Sequence, residues 1–184
     1  VDDIIIGGGM SFTFIKALGG KIGSSIHEDS MTEKALSILE LAEQKNTKIH
    51  LPVDVVCAKE FKEGAESKIF AIDSISDEYE GLDSGPKSLE KFKKIIMSSK
   101  TILWNGPVGV FELESFSKGT QEIGTAIAES TKSGAFSLVG GGDSVAAVKK
   151  FKLENEVSYV STGGGAMLES LEGKILPGIG ALKK

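Results

Sequence analysis

Arginine is absent from this sequence. All 21 of its basic residues are lysines, and its formal net charge is -5 at pH 7. Arginine is the side chain that holds a carboxylate or phosphate through two parallel hydrogen bonds. The chain therefore has no such clamp for an anionic ligand, and backbone N–H groups at helix ends become the main candidates for that task.

Cysteine and histidine are nearly absent as well. The only cysteine, Cys57, excludes an internal disulfide and fits a reducing, cytoplasmic compartment. It stands in the apolar run Val-Asp-Val-Val-Cys-Ala, which predicts the core of a strand. His27 and His50 lack the spacing of a metal site or of a nucleophile and its base, so we expect surface or strand-end roles for them.

Long apolar runs and basic blocks are also missing. No run approaches the roughly 18 residues that a membrane-spanning helix needs. The acidic balance and the lack of a lysine-rich block argue against nucleic acid or an anionic membrane as a partner. Since Val1 is followed at once by an apolar strand with no cationic leader, we expect the chain to be cut from a longer one.

Short β-branched runs alternate with amphipathic stretches along the chain, which predicts an α/β fold. We expect one domain over residues 1–184, with an open, doubly wound, mostly parallel six-stranded sheet and helices on both faces, in a Rossmann-like arrangement. The predicted strands are 3–6, 48–51 with 54–58, 69–72, 101–104, 136–139 and 157–160. The predicted helices are 11–18, 32–45, 88–99, 117–132, 144–152 and 166–171. Residues 60–87 are interpreted as connections that flank one short strand.

Three runs of three glycines each follow a predicted strand and precede a predicted helix. They are Gly7, Gly8 and Gly9; Gly140, Gly141 and Gly142; and Gly163, Gly164 and Gly165. Ligands of open parallel sheets bind at the carboxyl ends of the strands, where the next helix offers free N–H groups to phosphate. The alternative is that these glycines only let helices pack tightly on strands.

Two standard nucleotide-binding motifs do not fit these runs. The dinucleotide pattern G-x-G-x-x-G would need glycine where Phe12, Val145 and Leu168 stand. The P-loop comes closest over residues 81–88, but Pro86 takes the place of its second glycine. The sequence therefore supports neither a hydride-transfer enzyme nor a Walker-type ATPase.

Asp143 and Ser144 directly follow the second glycine run. A carboxylate beside a polyphosphate favours a cation between them, so Asp143 is a candidate Mg²⁺ ligand and Ser144 a candidate phosphate contact. The alternative is that both residues are ordinary helix N-caps.

The predicted strand 101–104 leads into the turn Asn105-Gly106-Pro107-Val108-Gly109 and then to Glu112. A rigid apolar turn suits a flat heterocycle, and the Glu112 carboxylate is able to accept hydrogen bonds from ribose hydroxyls. Alternatively, Trp104 is a core aromatic and Glu112 an acid that a helix dipole favours.

With these residues laid out, the chain closely resembles the carboxyl-terminal domain of the phosphoglycerate kinase family over essentially its whole length. The resemblance rests on segments that keep the family's order, namely 7–14, 51–54, 81–83 with Gly85 and Pro86, 104–112, 140–144, 161–166 and 176–178. Val108 stands where the family often has Met, which keeps the pocket apolar, and Met167 stands where Ser is common.

The resemblance implies a role for each matching position. The adenine pocket would be lined by Gly7, Gly8, Gly9, Gly81 and Leu82. The nucleotide site would be completed by Asn105, Gly106, Pro107 and Val108, with Glu112 on the ribose. The phosphates and Mg²⁺ would be held by Gly141, Gly142, Asp143 and Ser144. The group in transfer would be met by the backbone at the catalytic positions Gly142, Gly163 and Gly164.

The family's reaction is the reversible transfer of a phosphoryl group between 1,3-bisphosphoglycerate with ADP and 3-phosphoglycerate with ATP, in glycolysis. The resemblance implies a monomeric enzyme with Mg²⁺ and ATP or ADP, whose 3-phosphoglycerate is held mainly by a separate amino-terminal domain. It also implies an active-site lysine just upstream of this chain. We therefore expect this chain alone to bind nucleotide without turnover. A stand-alone regulatory module and a structural domain without ligand remain the alternatives.

Overall fold

The structure, a computed structural model, describes residues 1–182. Its strands are β1 (Asp3–Ile5), β2 (Lys21–Ile22), β3 (Lys48–His50), β4 (Asp54–Ala58), β5 (Ser67–Ala71), β6 (Ser74–Ile75), β7 (Glu80–Ser84), β8 (Thr101–Asn105), β9 (Phe136–Gly140) and β10 (Tyr159–Val160). Its helices are α1 (Gly8–Ala17), α2 (Thr32–Gln44), α3 (Pro86–Ser98), α4 (Lys118–Lys132), α5 (Gly142–Lys150), α6 (Gly164–Leu171) and α7 (Pro177–Leu182). Within residues 1–182, no helix has both the length and the apolar character that crossing a bilayer requires.

The α/β character and the parallel pairing agree with the sequence prediction. Strands β8, β9 and β10 pair in parallel in the order β10-β9-β8, and β1 pairs in parallel with β3. Helix α4 lies between β8 and β9 in sequence, and α5 lies between β9 and β10. These are the crossovers that parallel neighbours need, and they bring the carboxyl ends of the three strands to one edge.

The single six-stranded sheet is not confirmed, because the hydrogen-bonded strands of residues 1–182 fall into four small sheets. Strand β4 pairs antiparallel with both β5 and β7, and β2 pairs with β6. The predicted strand that joined 48–51 with 54–58 is in fact two strands in different sheets. Pro52, which carries no N–H for a ladder, lies between them.

Strand β7 was missed within the stretch interpreted as connections. Its sequence, Glu-Gly-Leu-Asp-Ser, consists mostly of poor strand formers. It also lacks the alternation of apolar and polar residues that is typical of a half-buried strand. Pairing with β4 compensates for this, since four of the five residues of β4 are buried. Tertiary context therefore decides the conformation of these five residues.

Within residues 1–182 the buried apolar side chains form four clusters, two of which are large. The larger lies among β8, β9, α3, α4 and α5, with Phe92, Trp104, Phe111, Ile127 and Val139 among its buried members. On α3 its contacts come from Leu89, Phe92 and Ile96, which recur at the spacing of three and four that one helix face requires.

The second cluster joins α1 to β4 and includes Phe12, Ile15, Val55 and Cys57. Cys57 is fully buried, and burial raises the pKa of its thiol to about 12. Its predicted role in a strand core is confirmed.

A network between Asp54 and Ser88 sets where α3 begins. The Asp54 carboxylate accepts hydrogen bonds from the backbone N–H groups of Lys87 (3.1 Å) and Ser88 (2.8 Å), and the Ser88 hydroxyl donates to it at 2.7 Å. Pro86 occupies the first helical position, where its missing N–H costs nothing. The segment that came closest to a P-loop is therefore a strand end and a capped helix start.

Candidate functional site

Each of the three glycine runs contains the N-cap and the first residue of a helix. Helices α1, α5 and α6 begin at Gly8, Gly142 and Gly164, two or three residues earlier than the sequence pattern predicted. Each is preceded by a glycine N-cap without a side-chain capping bond. The N–H groups of these first turns and the positive ends of the helix dipoles are therefore available to an anion.

The second and third runs approach each other backbone to backbone. A Cβ atom built on Gly164 would lie 2.7 Å from the nitrogen of Gly141 and 2.9 Å from its Cα. Gly141 itself has φ +85°, a conformation that other residues rarely adopt. The starts of α5 and α6 thus form one continuous edge, at the carboxyl ends of β9 and β10.

The first run packs against the turn that follows β8. Gly8 has φ +60°, and a Cβ built on it would lie 2.8 Å from the carbonyl oxygen of Pro107. A Cβ on Gly7 would lie 2.7 Å from Cγ1 of Val108. Glycine at these positions is what lets α1 lie this close to the turn.

Between these elements lies a mostly apolar cleft of about 140 Å³. It brings together six of the residues predicted for the nucleotide site: Gly8, Gly9, Gly81, Leu82, Pro107 and Val108. These residues come from α1, β7 and the turn after β8, which are far apart in the sequence. The apolar lining suits a flat heterocycle. That this heterocycle is adenine stays a prediction.

Other predicted residues lie outside the cleft and continue it along the sheet edge. A Cβ on Gly141 would lie 2.5 Å from Oδ1 of Asn105, so the end of β8 contacts the start of α5. The backbone N–H of Gly106 donates to the Ser144 hydroxyl oxygen at 2.5 Å. Since Ser144 is fully buried, its hydroxyl holds the turn in place, and its contact with phosphate stays a prediction.

Asp143 lies exposed in the first turn of α5. Its carboxylate makes no hydrogen bond or ion pair within residues 1–182, and the N-cap of the helix is Gly141. The alternative that Asp143 caps the helix is therefore wrong. A free carboxylate is a suitable ligand for Mg²⁺. The described part of the chain has no cluster of three potential metal ligands, so the protein alone would not complete such a site. A cation here would take its other ligands from phosphate oxygens and water.

Glu112 is exposed in the connection between β8 and α4. It precedes a short 3₁₀ turn, Glu114–Phe116, rather than the first turn of an α-helix. The helix-dipole alternative for this carboxylate is therefore not supported, and its ribose contact stays a prediction. Trp104 is buried and donates its indole N–H to the carbonyl of Gly106 at 2.8 Å, so the interpretation as a core aromatic is confirmed.

The two histidines take local structural roles. His50 ends β3 and lies 2.7 Å from Oδ1 of Asp3. Nε2 of His27 lies 2.8 Å from Nζ of Lys16, and its Nδ1 lies 2.8 Å from the carbonyl of Ser25. A ring that donates from Nδ1 and accepts at Nε2 satisfies both contacts. The expected strand-end role of His50 is confirmed, while His27 is half-buried rather than on the open surface.

Sequence reasoning missed several residues of the cleft, among them Ile26 and Asp83. Ile26 lies at its rim with 73% of its surface exposed, and a Cβ on Gly9 would lie 2.9 Å from its Cγ2. Its sequence context, an aliphatic residue among polar ones in a connection, carries no signal of a binding role. Asp83 belongs to a segment that carries the family resemblance but had no predicted role, although it lines the cleft and is 5% exposed.

Asp83 lines the cleft, and the pKa of its carboxyl is raised. Burial raises the pKa of its carboxyl to about 7, while hydrogen bonds from the backbone N–H groups of Gly119 and Ser84 oppose the rise. Nearby Glu122 adds to it and Lys118 opposes it. The first and largest effect is desolvation, which disfavours the charged form.

Comparisons with known proteins all give matches to the same family. A family model described as phosphoglycerate kinase matches residues 1–174. The phosphoglycerate kinase of Porphyromonas gingivalis is 54% identical over 183 residues, and that of Thermosipho africanus is 54% identical over 182. The matches cover 100% and 98% of this chain but 44% and 45% of those relatives.

Solved structures agree with these matches. The structure of phosphoglycerate kinase from Coxiella burnetii gives a TM-score of 0.94 at 46% identity, covering 100% of this chain and 46% of that one. That of phosphoglycerate kinase from Pyrococcus horikoshii OT3 gives 0.78 at 32% identity, covering 100% and 45%. The chain thus spans less than half the length of the relatives that it matches.

Proposed function

The chain belongs to the phosphoglycerate kinase family, and from this premise we propose that it is the nucleotide-binding, carboxyl-terminal domain of such an enzyme. It binds ADP or ATP with Mg²⁺. The observation that carries the proposal is the continuous surface from the apolar cleft, past the end of β8, to the adjoining starts of α5 and α6. An apolar pocket followed by free N–H groups has the order of a nucleotide, in which a base is followed by phosphates.

In this proposal the adenine enters the cleft between Gly8, Gly81 and Pro107. Glu112 accepts hydrogen bonds from the ribose hydroxyls. The phosphates lie against the backbone N–H groups at Gly141 and Gly142. Mg²⁺, held by Asp143 and by phosphate oxygens, would supply charge neutralisation when bound.

The proposed activity of the whole enzyme is that of a phosphotransferase with a carboxyl group as acceptor. It moves a phosphoryl group reversibly between ATP and 3-phosphoglycerate, a step of glycolysis in the cytoplasm, and it works as a monomer. Negative charge spreads over the oxygens of a transferring phosphoryl group, so fixed N–H donors aimed at them stabilise the transition state. We assign this task to the backbone at Gly142, Gly163 and Gly164, and we assign 3-phosphoglycerate mainly to a separate amino-terminal domain.

Calorimetric titration of the 184-residue chain with ADP tests the nucleotide-binding role. The titration is done once in the presence of Mg²⁺ and once in the presence of EDTA. We expect saturable binding of one nucleotide that is tighter with Mg²⁺. Asp143→Ala removes this Mg²⁺-dependent gain because it removes the free carboxylate. The matched control is Asp77→Ala, an exposed aspartate that makes no side-chain hydrogen bond or ion pair within residues 1–182 and does not line the cleft. Absence of saturable binding by the unmodified chain would support the alternative of a structural domain without ligand.

A further inference from the structure

Helix α5 contacts the connection after β8 at both of its ends. At its start, the Ser144 hydroxyl oxygen accepts the hydrogen bond from Gly106. At its end, the Lys150 ammonium donates to the carbonyl oxygen of Phe111 at 2.5 Å and to that of Glu112 at 3.3 Å. A helix of nine residues, about 13 Å long, therefore joins the proposed phosphate end of the site to the proposed ribose end.

The contacts of Lys150 restrain the backbone on which Glu112 stands. Phe111 is 5% exposed and packs in the larger hydrophobic cluster, with its ring centre 6.0 Å from the Lys150 nitrogen. Its own N–H donates to the carbonyl of Gly109 at 2.9 Å. Phe111 is thus fixed by packing and hydrogen bonds. Lys150 also donates to the carbonyl of the next residue, the exposed Glu112, and so restrains its backbone as well.

A hydrogen bond from a charged donor is stronger than one between neutral groups, and it orients both carbonyls towards one point. The direction of these carbonyls sets the direction in which the Glu112 side chain leaves the backbone. If that direction is fixed before the ligand arrives, the entropy cost of ordering Glu112 does not weaken binding.

We propose that Lys150 is a positioning residue of the nucleotide site, which holds the backbone of Phe111 and Glu112 so that the Glu112 carboxylate meets the ribose hydroxyls. This inference rests on the proposed nucleotide-binding function. Lys150 itself does not contact the nucleotide and acts only through Glu112.

The test compares two ligands that differ only in the ribose, ADP and 2′,3′-dideoxy-ADP, each with Mg²⁺, by calorimetry on the 184-residue chain. The variants are Lys150→Met, which keeps an unbranched side chain one atom shorter and removes the donor, and Lys150→Arg, which restores a cationic donor. Lys149→Met is the matched control, because Lys149 is exposed in the same last turn and makes no side-chain hydrogen bond or ion pair within residues 1–182.

We expect Lys150→Met to weaken ADP binding roughly tenfold, the equivalent of one hydrogen bond, and to leave dideoxy-ADP binding nearly unchanged. Lys150→Arg restores most of the preference for ADP, and Lys149→Met changes neither ligand. In a Glu112→Ala background, Lys150→Met has no further effect on binding, because the carboxylate that it positions is gone.

An equal loss of affinity for both ligands would overturn the inference, since it would mean that Lys150 only stabilises the fold. A preference for ADP that is unchanged in Lys150→Met would do the same while leaving the proposed function intact. Failure of the unmodified chain to bind either ligand overturns the proposed function and this inference together.

Discussion

The carboxylate of Asp83 accepts a hydrogen bond of 2.7 Å from the backbone N–H of Gly119, the second residue of α4. Its other oxygen accepts from the N–H of Ser84 at 2.9 Å. The space around it is filled, because a Cβ atom built on either Gly109 or Gly119 would overlap this carboxylate. One buried side chain therefore joins β7, the turn after β8 and the start of α4, and the first two of these line the cleft.

Asp83→Asn should change how stability depends on pH. The pKa of Asp83 is raised from its ordinary value of 3.8 to about 7 in the folded chain. Between these two values the folded state binds more protons than the unfolded state, so the contribution of Asp83 to the free energy of unfolding falls as pH rises from about 4 to 7. Asparagine does not titrate there. The NH₂ group of the asparagine would also face a backbone N–H. We expect this to lower the free energy of unfolding by about 1–3 kcal/mol.

Thermal or urea unfolding at several pH values checks this prediction. The stability difference between the unmodified chain and Asp83→Asn should be largest near pH 4 to 5 and should narrow towards pH 7. Asp77→Asn, an exposed aspartate outside the cleft, provides the control for loss of a carboxylate. A difference that stays constant or widens with rising pH would contradict the raised pKa.

The contact between Gly141 and Gly164 leads to a prediction about phosphate binding. In Gly164→Ala the new methyl group would lie 2.7 Å from a backbone nitrogen, so the start of α5 or of α6 must shift. Because both starts are proposed to face phosphates, we expect affinity for Mg·ADP to fall about tenfold or more, equal to the loss of one backbone hydrogen bond.

Gly165→Ala is the matched control for that variant. It adds the same methyl group one residue later, where nothing lies within 4 Å. Alanine is a better helix former than glycine by about 1 kcal/mol, so α6 should be no less stable. Calorimetry with Mg·ADP compares the two variants. Equal affinities for both would show that the backbone approach does not matter for phosphate.

Ile26 provides a test of the base end of the cleft. Because its side chain is mostly exposed without ligand, Ile26→Ser should hardly change the unfolding temperature. Covering an aliphatic side chain by a flat base stabilises the complex by about 1–2 kcal/mol, so affinity for Mg·ADP should fall roughly tenfold. Binding of Mg·tripolyphosphate, which has no base, should stay the same.

Leu18→Ser gives the control for the loss of an exposed aliphatic residue, since Leu18 is 57% exposed and does not line the cleft. Calorimetry with both ligands measures the result. If Ile26→Ser weakened tripolyphosphate as much as ADP, the cleft would not be the base-binding end of the site.

The sequence indicated the α/β class and the parallel strands β8 and β9, because their apolar runs stand between clear amphipathic helices. It could not indicate β7, whose conformation depends on the partner strand β4. It also placed the starts of α1, α5 and α6 too late, because glycine disfavours helix interiors and was interpreted as a loop residue. In the first turns of these helices, glycine is nevertheless needed where a neighbouring backbone lies too close for a Cβ atom.

The candidate site also has features that the sequence could predict and others that it could not. The local pattern indicated Gly8, which follows a predicted strand, and Pro107 in the turn after β8, whereas Gly81 entered the hypothesis only through the family resemblance. The partner of Asp83, Gly119, is 36 residues away, and the contact of Lys150 with Phe111 spans 39. Contacts of this kind have no periodicity or spacing in the sequence, so only the folded structure reveals them.

The last prediction concerns turnover by this chain alone. Mixed with ATP, Mg²⁺ and 3-phosphoglycerate, the 184-residue chain should form no detectable 1,3-bisphosphoglycerate in a coupled assay, although it binds nucleotide. Transfer of a phosphoryl group needs cations around the oxygens that carry the developing charge, and loss of an arginine clamp costs on the order of 10³ in rate in enzymes that use one. This sequence has no arginine, and no lysine lines the cleft. Helix starts supply only partial charges of about half a unit each. Measurable turnover that survives repeated purification and disappears in Asp143→Ala would contradict this prediction, because the edge formed by α5 and α6 would then be sufficient for catalysis.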